Sequence, residues 1–319
     1  MPRPRLYAAV LAAAVVLLGL LAPAPAHAAD NGRWSVYPAA PSDAAAQRPY
    51  FYLSTDPGSR IEDKVTVTNK SAEPMTFRLY GADAYNTVRD GGFAVRTEKE
   101  RQRGVGAWLR TARQKVTLPP GGTATVPFTL TVPETAEPGD HPGALVALDE
   151  RVEPGSGSLA VGVQRAVGAR VYLRVTGPTV AALSVEDVSY EPDRPLVPGT
   201  GRSRARISYT LHNRGNVTLN PRAALRAEGL FGRTLLAREL TELPGELLPR
   251  QKIRLTESWA DAPQLDWGEV TVTARARDVR ESAAASFFVV PWLVAAVLLA
   301  AGTGAAVWLR VRLRRVRGT

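Results

Sequence analysis

The 319-residue chain has no cysteine and only three histidines. Without cysteine there is no disulfide framework, thiol nucleophile or thiolate metal site, so stability has to come from buried cores. His27, His141 and His212 lie far apart, with no companion at metal-ligand spacing and no nucleophile motif nearby, so neither a metal site nor a cofactor is expected. Acidic neighbours such as Glu62-Asp63 and Asp149-Glu150 would point to opposite faces of a strand and could not flank one scissile bond. An exported hydrolase would need convergent carboxylates or an activated nucleophile, and the sequence displays neither. A non-enzymatic protein is expected.

Long apolar runs are missing from the interior and occur only at the two ends. Residues 6–21 follow Arg3 and Arg5 and lead to Ala26-His27-Ala28, the order of a secretory signal peptide cleaved after about residue 28. The Pro23-Ala24-Pro25 break favours cleavage over a retained second span. Residues 287–309 carry no charge, and as a helix they would extend about 35 Å, enough for a bilayer core of about 30 Å. Arg310, Arg312, Arg314, Arg315 and Arg317 follow at once, which places the tail 310–319 on the cytoplasmic side. The expected location is the cell membrane, single-pass, with an extracytoplasmic N-terminal ectodomain and the lipid bilayer as a partner of residues 287–309.

The formal net charge of +10 does not indicate a nucleic-acid partner. Seven arginines belong to the two ends, and ten less seven leaves +3 for the remainder. Ala, Arg, Gly and Pro are abundant and Lys is scarce, a bias expected of a genome rich in G and C, as in actinobacteria.

Between the ends, apolar and polar residues alternate with period two and are punctuated by Pro and Gly. Strands are expected at 64–68, 75–81, 124–132, 144–152 and 169–175, then at 180–190, 204–212, 222–228, 251–257 and 269–277. This count suits an all-β ectodomain of two tandem immunoglobulin-like β-sandwiches, 29–177 and 178–286, followed by the transmembrane helix 287–309. An internal repeat supports the division. Val65-Thr66-Val67-Thr68-Asn69 resembles Ser208-Tyr209-Thr210-Leu211-His212-Asn213, and Leu118-Pro119-Pro120-Gly121-Gly122 resembles Leu247-Leu248-Pro249-Arg250-Gln251. Asn69 to Leu118 spans 49 positions and Asn213 to Leu248 spans 35, so the first half carries about 14 extra residues, around 81–114. The Ser156-Gly157-Ser158 stretch reads as a hairpin tip, and 138–143, which contains His141, reads as a turn.

Long insertions on a sandwich are commonly functional. Aromatic faces stack on sugar rings, and arginine pairs with carboxylates such as those of wall peptides. The insertion therefore nominates Tyr85, Asn86, Arg89, Phe93, Trp108 and Arg110 as wall-binding candidates. Trp34, Tyr37, Tyr50, Phe51 and Tyr52 lie in the N-terminal segment, where aromatics more often fill a core.

Residues 34–152 resemble the WxL-interacting protein family of Gram-positive surface proteins, in particular its N-terminal peptidoglycan-binding domain. The resemblance rests on Trp34-Ser35-Val36-Tyr37-Pro38, Tyr50-Phe51-Tyr52-Leu53 with Asp56-Pro57-Gly58, Val65 through Ser71, Ala84-Tyr85-Asn86 with Asp90-Gly91-Gly92-Phe93, Val116-Thr117-Leu118-Pro119-Pro120-Gly121, and the Pro-Gly-containing turn at Pro138 to Gly143. It implies a wall-binding first domain and a second β-domain that engages host or surface partners. The second half of this chain looks more like a generic immunoglobulin-like module. Peptidoglycan or another cell-wall glycan is thus the expected ligand. The alternative is a structural or assembly factor that pairs with another secreted protein through strand edges.

Overall fold

In Arg60–Asn69, Val65 and Val67 are fully buried, while Thr66 and Thr68 face outward and meet Thr125 and Thr123 of the neighbouring strand at 3.2 and 3.1 Å. That alternation repeats through the computed structural model, which describes residues 29–40, 48–88, 90–153, 162–193, 203–290 and 292–316. The expected signal peptide, the Ser156-Gly157-Ser158 tip and Arg89 lie outside the described residues, as does the end of the tail.

The first half contains β1 (Trp34–Pro38), β2 (Phe51–Thr55), β3 (Arg60–Asn69), β4 (Met75–Asn86), β5 (Phe93–Val95), the short helix α1 (Val105–Trp108), β6 (Leu109–Thr111), β7 (Lys115–Leu118), β8 (Thr123–Thr131), β9 (Gly139–Asp149) and β10 (Ala166–Val175). Its two sheets run β1-β3-β8-β6 and β2-β10-β9-β4-β5, with β7 also on β4. The N-terminal segment changes sheets, since β1 is antiparallel to β3 while β2 is parallel to β10. Trp34, Phe51, Phe77 and Phe128 fill the space between the sheets.

The second half contains β11 (Leu183–Asp193), β12 (Arg204–Asn213), β13 (Arg222–Glu228), a 3-10 turn (Leu230–Gly232), β14 (Thr234–Leu240), β15 (Lys252–Ala260), β16 (Asp266–Ala276) and β17 (Val279–Val289). Its sheets run β11-β12-β15 and β14-β13-β16-β17. They enclose a separate core that includes Ile207, Tyr209, Leu211, Leu225, Val272 and Trp259.

The repeat is visible as one device used twice. Asn69 and Asn213 are both fully buried at a strand end. The Asn69 amide donates to the carbonyls of Glu73, Leu118 and Pro119, and that of Asn213 to Val217 and Leu247. Each asparagine also closes on a turn, because Gly122 and Gln251 donate back to Pro119 and Leu248. Gly121 and Arg250 supply the positive φ of these turns. Leu118 therefore matches Leu247, and the separations of 49 and 34 put the excess of the first half at 15, one more than the sequence alignment gives.

Two expectations need correction. Residues 139–143 belong to β9 and pair with β10 from Gly139↔Val175 to Gly143↔Val171, so His141 is a strand residue and not a turn residue. The expected span 287–309 begins inside β17. Phe287 and Val289 are buried in the second core and Phe288 points out, a period-two pattern hidden by an apolar run. Helix α2 (Trp292–Val316) follows, and its uncharged part, residues 292–309, is about 27 Å long. Among the described residues, no helix is long and apolar enough to cross a membrane.

Glu186 on β11 accepts hydrogen bonds from Lys252 at 2.9 Å and Ser184 at 2.8 Å, and sits 2.9 Å from His212 Nδ1. Lys252 first, then His212 and Ser184, pull its pKa from 4.5 to about 2. A depressed carboxylate pKa stabilises the fold above the unfolded value and loses that effect as pH falls through the folded one. Glu186→Gln should therefore lower the melting temperature at neutral pH. Thermal denaturation along a pH series should show the gap from the parent closing between about 4.5 and 2.

Candidate functional site

The insertion is organised around one carboxylate. Asp83, near the end of β4, accepts backbone hydrogen bonds from Arg103, from Gly104 at 3.1 Å and from Gly106 at 2.7 Å. Its own N–H donates to Gln102 Oε1 at 2.8 Å, and Gln102 Nε2 donates to the carbonyl of Thr97. The loop before α1 is thus wound onto β4. Gly106 fits because a Cβ there would lie 2.7 Å from the Asp83 nitrogen. This winding holds Arg101 and Arg103 at the surface and sets Trp108 against His141, with ring centroids 4.8 Å apart. His141 Nε2 lies 2.8 Å from the carbonyl of Glu137.

Trp108 and His141 form one wall of a cleft of about 730 Å³ between the sandwiches. Arg96, Arg101 and Arg103 line it from the first sandwich, and Asn216 and Leu248 through Gln251 from the second. Arg96 lies over the Tyr85 ring at 5.7 Å and pairs with Glu100 at 3.5 Å; Arg250 pairs with Glu137. Among the described residues, Arg101 and Arg103 form no ion pair. The cleft combines an aromatic wall with guanidinium donors, the chemistry that takes a ring and a carboxylate together.

The junction that shapes the cleft is polar and tight. Asn86 Nδ2 donates to Gly91 at 2.7 Å and across the junction to Glu246 at 2.8 Å, while the Leu248 N–H donates to Asn86 Oδ1 at 2.8 Å. The Asp140 N–H donates to the Asn216 carbonyl at 2.7 Å, and Asp140 Oδ2 accepts from Thr218 at 2.8 Å. Gly139 has φ 122°, and a Cβ there would lie 2.2 Å from the Asn216 oxygen.

Beside the junction is an aromatic platform. Tyr52 and Tyr172, register partners on β2 and β10, stack at 5.3 Å and 11°, and Tyr52 remains 67% exposed. The Tyr172 hydroxyl donates to Glu246 at 2.9 Å, and burial first of all pushes its pKa up. The Arg170 guanidinium lies over Phe93 at 4.2 Å and Tyr50 at 5.6 Å. Tyr52 and Tyr172 border a second concavity of about 550 Å³ with Asn220 and Arg277 of the second sandwich.

The five sequence candidates among the described residues do not converge. Trp108 lines the cleft and Tyr85 backs Arg96; Phe93 belongs to the aromatic platform; Arg110 is exposed on β6 and bonds the Leu109 carbonyl. Asn86 is 4% exposed and its amide is committed to the junction, so it is not offered to a ligand. Sequence reasoning missed Arg96, Arg101, Arg103, His141 and Arg250. The density of charge in Lys99-Glu100-Arg101-Gln102-Arg103 was the available signal for two of them.

Residues 34–148 match the family model of the WxL Interacting Protein, peptidoglycan binding domain. The first sandwich belongs to that family. A cell-wall glycan is accordingly the partner class of this peptidoglycan-binding domain, and the match points to a non-enzymatic, cell-wall-binding surface protein. No curated protein matches the chain in sequence. Among solved structures, it is similar to a chaperone-tip adhesin complex of CFA/I fimbriae, at 12% identity and TM-score 0.36, covering 81% of this chain and 99% of that one. The Pseudomonas aeruginosa CupB2 chaperone gives 10% and 0.28, with coverages of 75% and 97%. The E. coli chaperone DraB gives 13% and 0.31, with 75% and 94%. At these scores the likenesses carry no functional argument.

Proposed function

We propose that this is a membrane-anchored surface protein whose peptidoglycan-binding domain holds the cell wall in the cleft between Trp108 and the arginines, with the C-terminal helix in the bilayer and the ectodomain outside. The observation that carries the wall-binding reading is the family match over residues 34–148. The cleft supports its placement, since Trp108–His141 offers a ring surface while Arg101 and Arg103 present guanidinium groups that have no acidic partner among the described residues. The second sandwich acts as a spacer that also supplies one wall of the cleft. The uncharged residues 292–309 followed directly by a basic run, the order of an anchor with a cytoplasmic flank, support the anchor.

The test is co-sedimentation of residues 29–290, which contain both cores whole, with purified peptidoglycan sacculi across a salt series. Saturable binding that persists at about 0.15 M salt, where the Debye length is about 8 Å, is expected. Trp108→Ala is expected to weaken it about tenfold, the order of 1.4 kcal/mol for one lost aromatic contact. No sedimentation of the parent would overturn the wall reading in favour of a secreted protein partner.

A further inference from the structure

One end of the second sandwich carries large apolar side chains that the fold does not bury. Phe231 is 100% exposed, Phe288 73%, Leu265 62% and Trp267 49%. Trp267 and Phe288 are register partners on β16 and β17, with ring centroids 6.3 Å apart. Phe231 stands at the tip of the 3-10 turn with φ 57° and ψ 28°, a left-handed conformation unfavourable for a bulky residue.

A single buried carboxylate draws these residues together. Asp266 is 1% exposed and pairs in register with Val289. It accepts hydrogen bonds from the N–H groups of Leu230 and Trp267, both at 2.9 Å, and from Arg233 Nη2 at 2.7 Å. Phe231 therefore sits beside the start of β16 and the end of β17, where the chain passes into α2 within three residues of Val289. The exposed apolar residues lie where the apolar helix emerges.

We propose that this end of the second sandwich rests on the bilayer, with Phe231, Leu265, Trp267 and Phe288 seated in the lipid interface and Arg233 at the headgroups. Trp and other amphipathic or apolar side chains concentrate at that depth, and side chains on a surface-lying element enter it by about 5–10 Å. The left-handed turn is explained by the same placement, because it pushes Phe231 outward at the one end of the sandwich that meets lipid. The inference rests on the membrane anchor proposed above. It adds that the ectodomain is seated on the lipid and does not swing on its helix.

The chain lacks cysteine, so single labels can be placed cleanly. Phe231→Cys carries its label at a fully exposed position, and Lys99→Cys on the exposed insertion of the first sandwich is the control. Each full-length variant is labelled with a polarity-sensitive fluorophore and reconstituted into phosphatidylcholine–phosphatidylglycerol vesicles. Vesicle flotation is measured first, then quenching by a lipid bearing a nitroxide near the headgroup. The label at 231 is expected to blue-shift and lose most of its emission, while that at 99 keeps it. Flotation with equal emission at both sites would overturn the seating alone; absence of flotation would overturn the anchor as well.

Discussion

Replacing Asn86 by alanine is expected to loosen the two sandwiches from one another and to lose about 2 kcal/mol, because the buried Leu248 N–H then has no acceptor and the Glu246 carbonyl loses its donor. The size follows from desolvation: an unsatisfied buried polar group costs about 1–3 kcal/mol, more than the net value of the bond. Hydrogen exchange followed by mass spectrometry is the decisive measurement. The segment holding Leu248 should lose protection, while β12 and β15 around Ile207 and Leu255 keep theirs. Wall binding should fall with it, because the cleft needs Leu248 through Gln251 in place. A variant with unchanged exchange at Leu248 but reduced wall binding would return Asn86 to the role of a ligand contact.

Asn213→Ala should have a larger effect on stability. The side chain is fully buried, donates to Val217 at 2.8 Å and Leu247 at 2.9 Å, and accepts from the Gly215 N–H at 3.0 Å. Leu247 retains a second donor in the Leu219 N–H, whereas Gly215 N–H keeps none of its side-chain bond, so the loss is about 3 kcal/mol. For a domain near 100 residues that corresponds to a fall of more than about 10 °C in the melting of the second sandwich. Asn213→Asp should be no better, since a carboxylate would face two carbonyl oxygens. Calorimetry checks both, and a shift of a degree or two would show that the turns close without the asparagine.

The strands were legible where one face is buried and the other wet. Each of the ten expected strands coincides with one in the structure, because Val65 and Val67, or Val270 and Val272, alternate with polar residues. β5, β6 and β7 are only three or four residues long, too short for a period-two signal. β17 was lost for another reason: Phe287, Phe288 and Val289 read as the start of an apolar run, and only the pairing with β16 shows that two point in and one out. The site was less legible still. Trp108 could be reached because it lies in an insertion, but Arg250 enters the cleft from the other sandwich, and no local pattern announces such a neighbour. Asn86 is nominated by the sequence because it lies in the insertion. Its burial comes from a second sandwich that begins about a hundred residues later.

The close succession of β17 and α2 also has a mechanical meaning. The β16–β17 turn is near the junction, where Arg277 borders the Tyr52 concavity and reaches the Thr218 carbonyl, and Val289 is at the opposite end of the strand. Under the proposed anchoring and wall binding, a pull entering along the helix and leaving through the cleft runs lengthwise along β17. It loads the register from Asp266↔Val289 to Ala276↔Val279 in shear, all bonds at once, where a sideways pull would break them one by one. An edge strand loaded this way resists tension better than one peeled from its end, which suits the proposed link between wall and membrane.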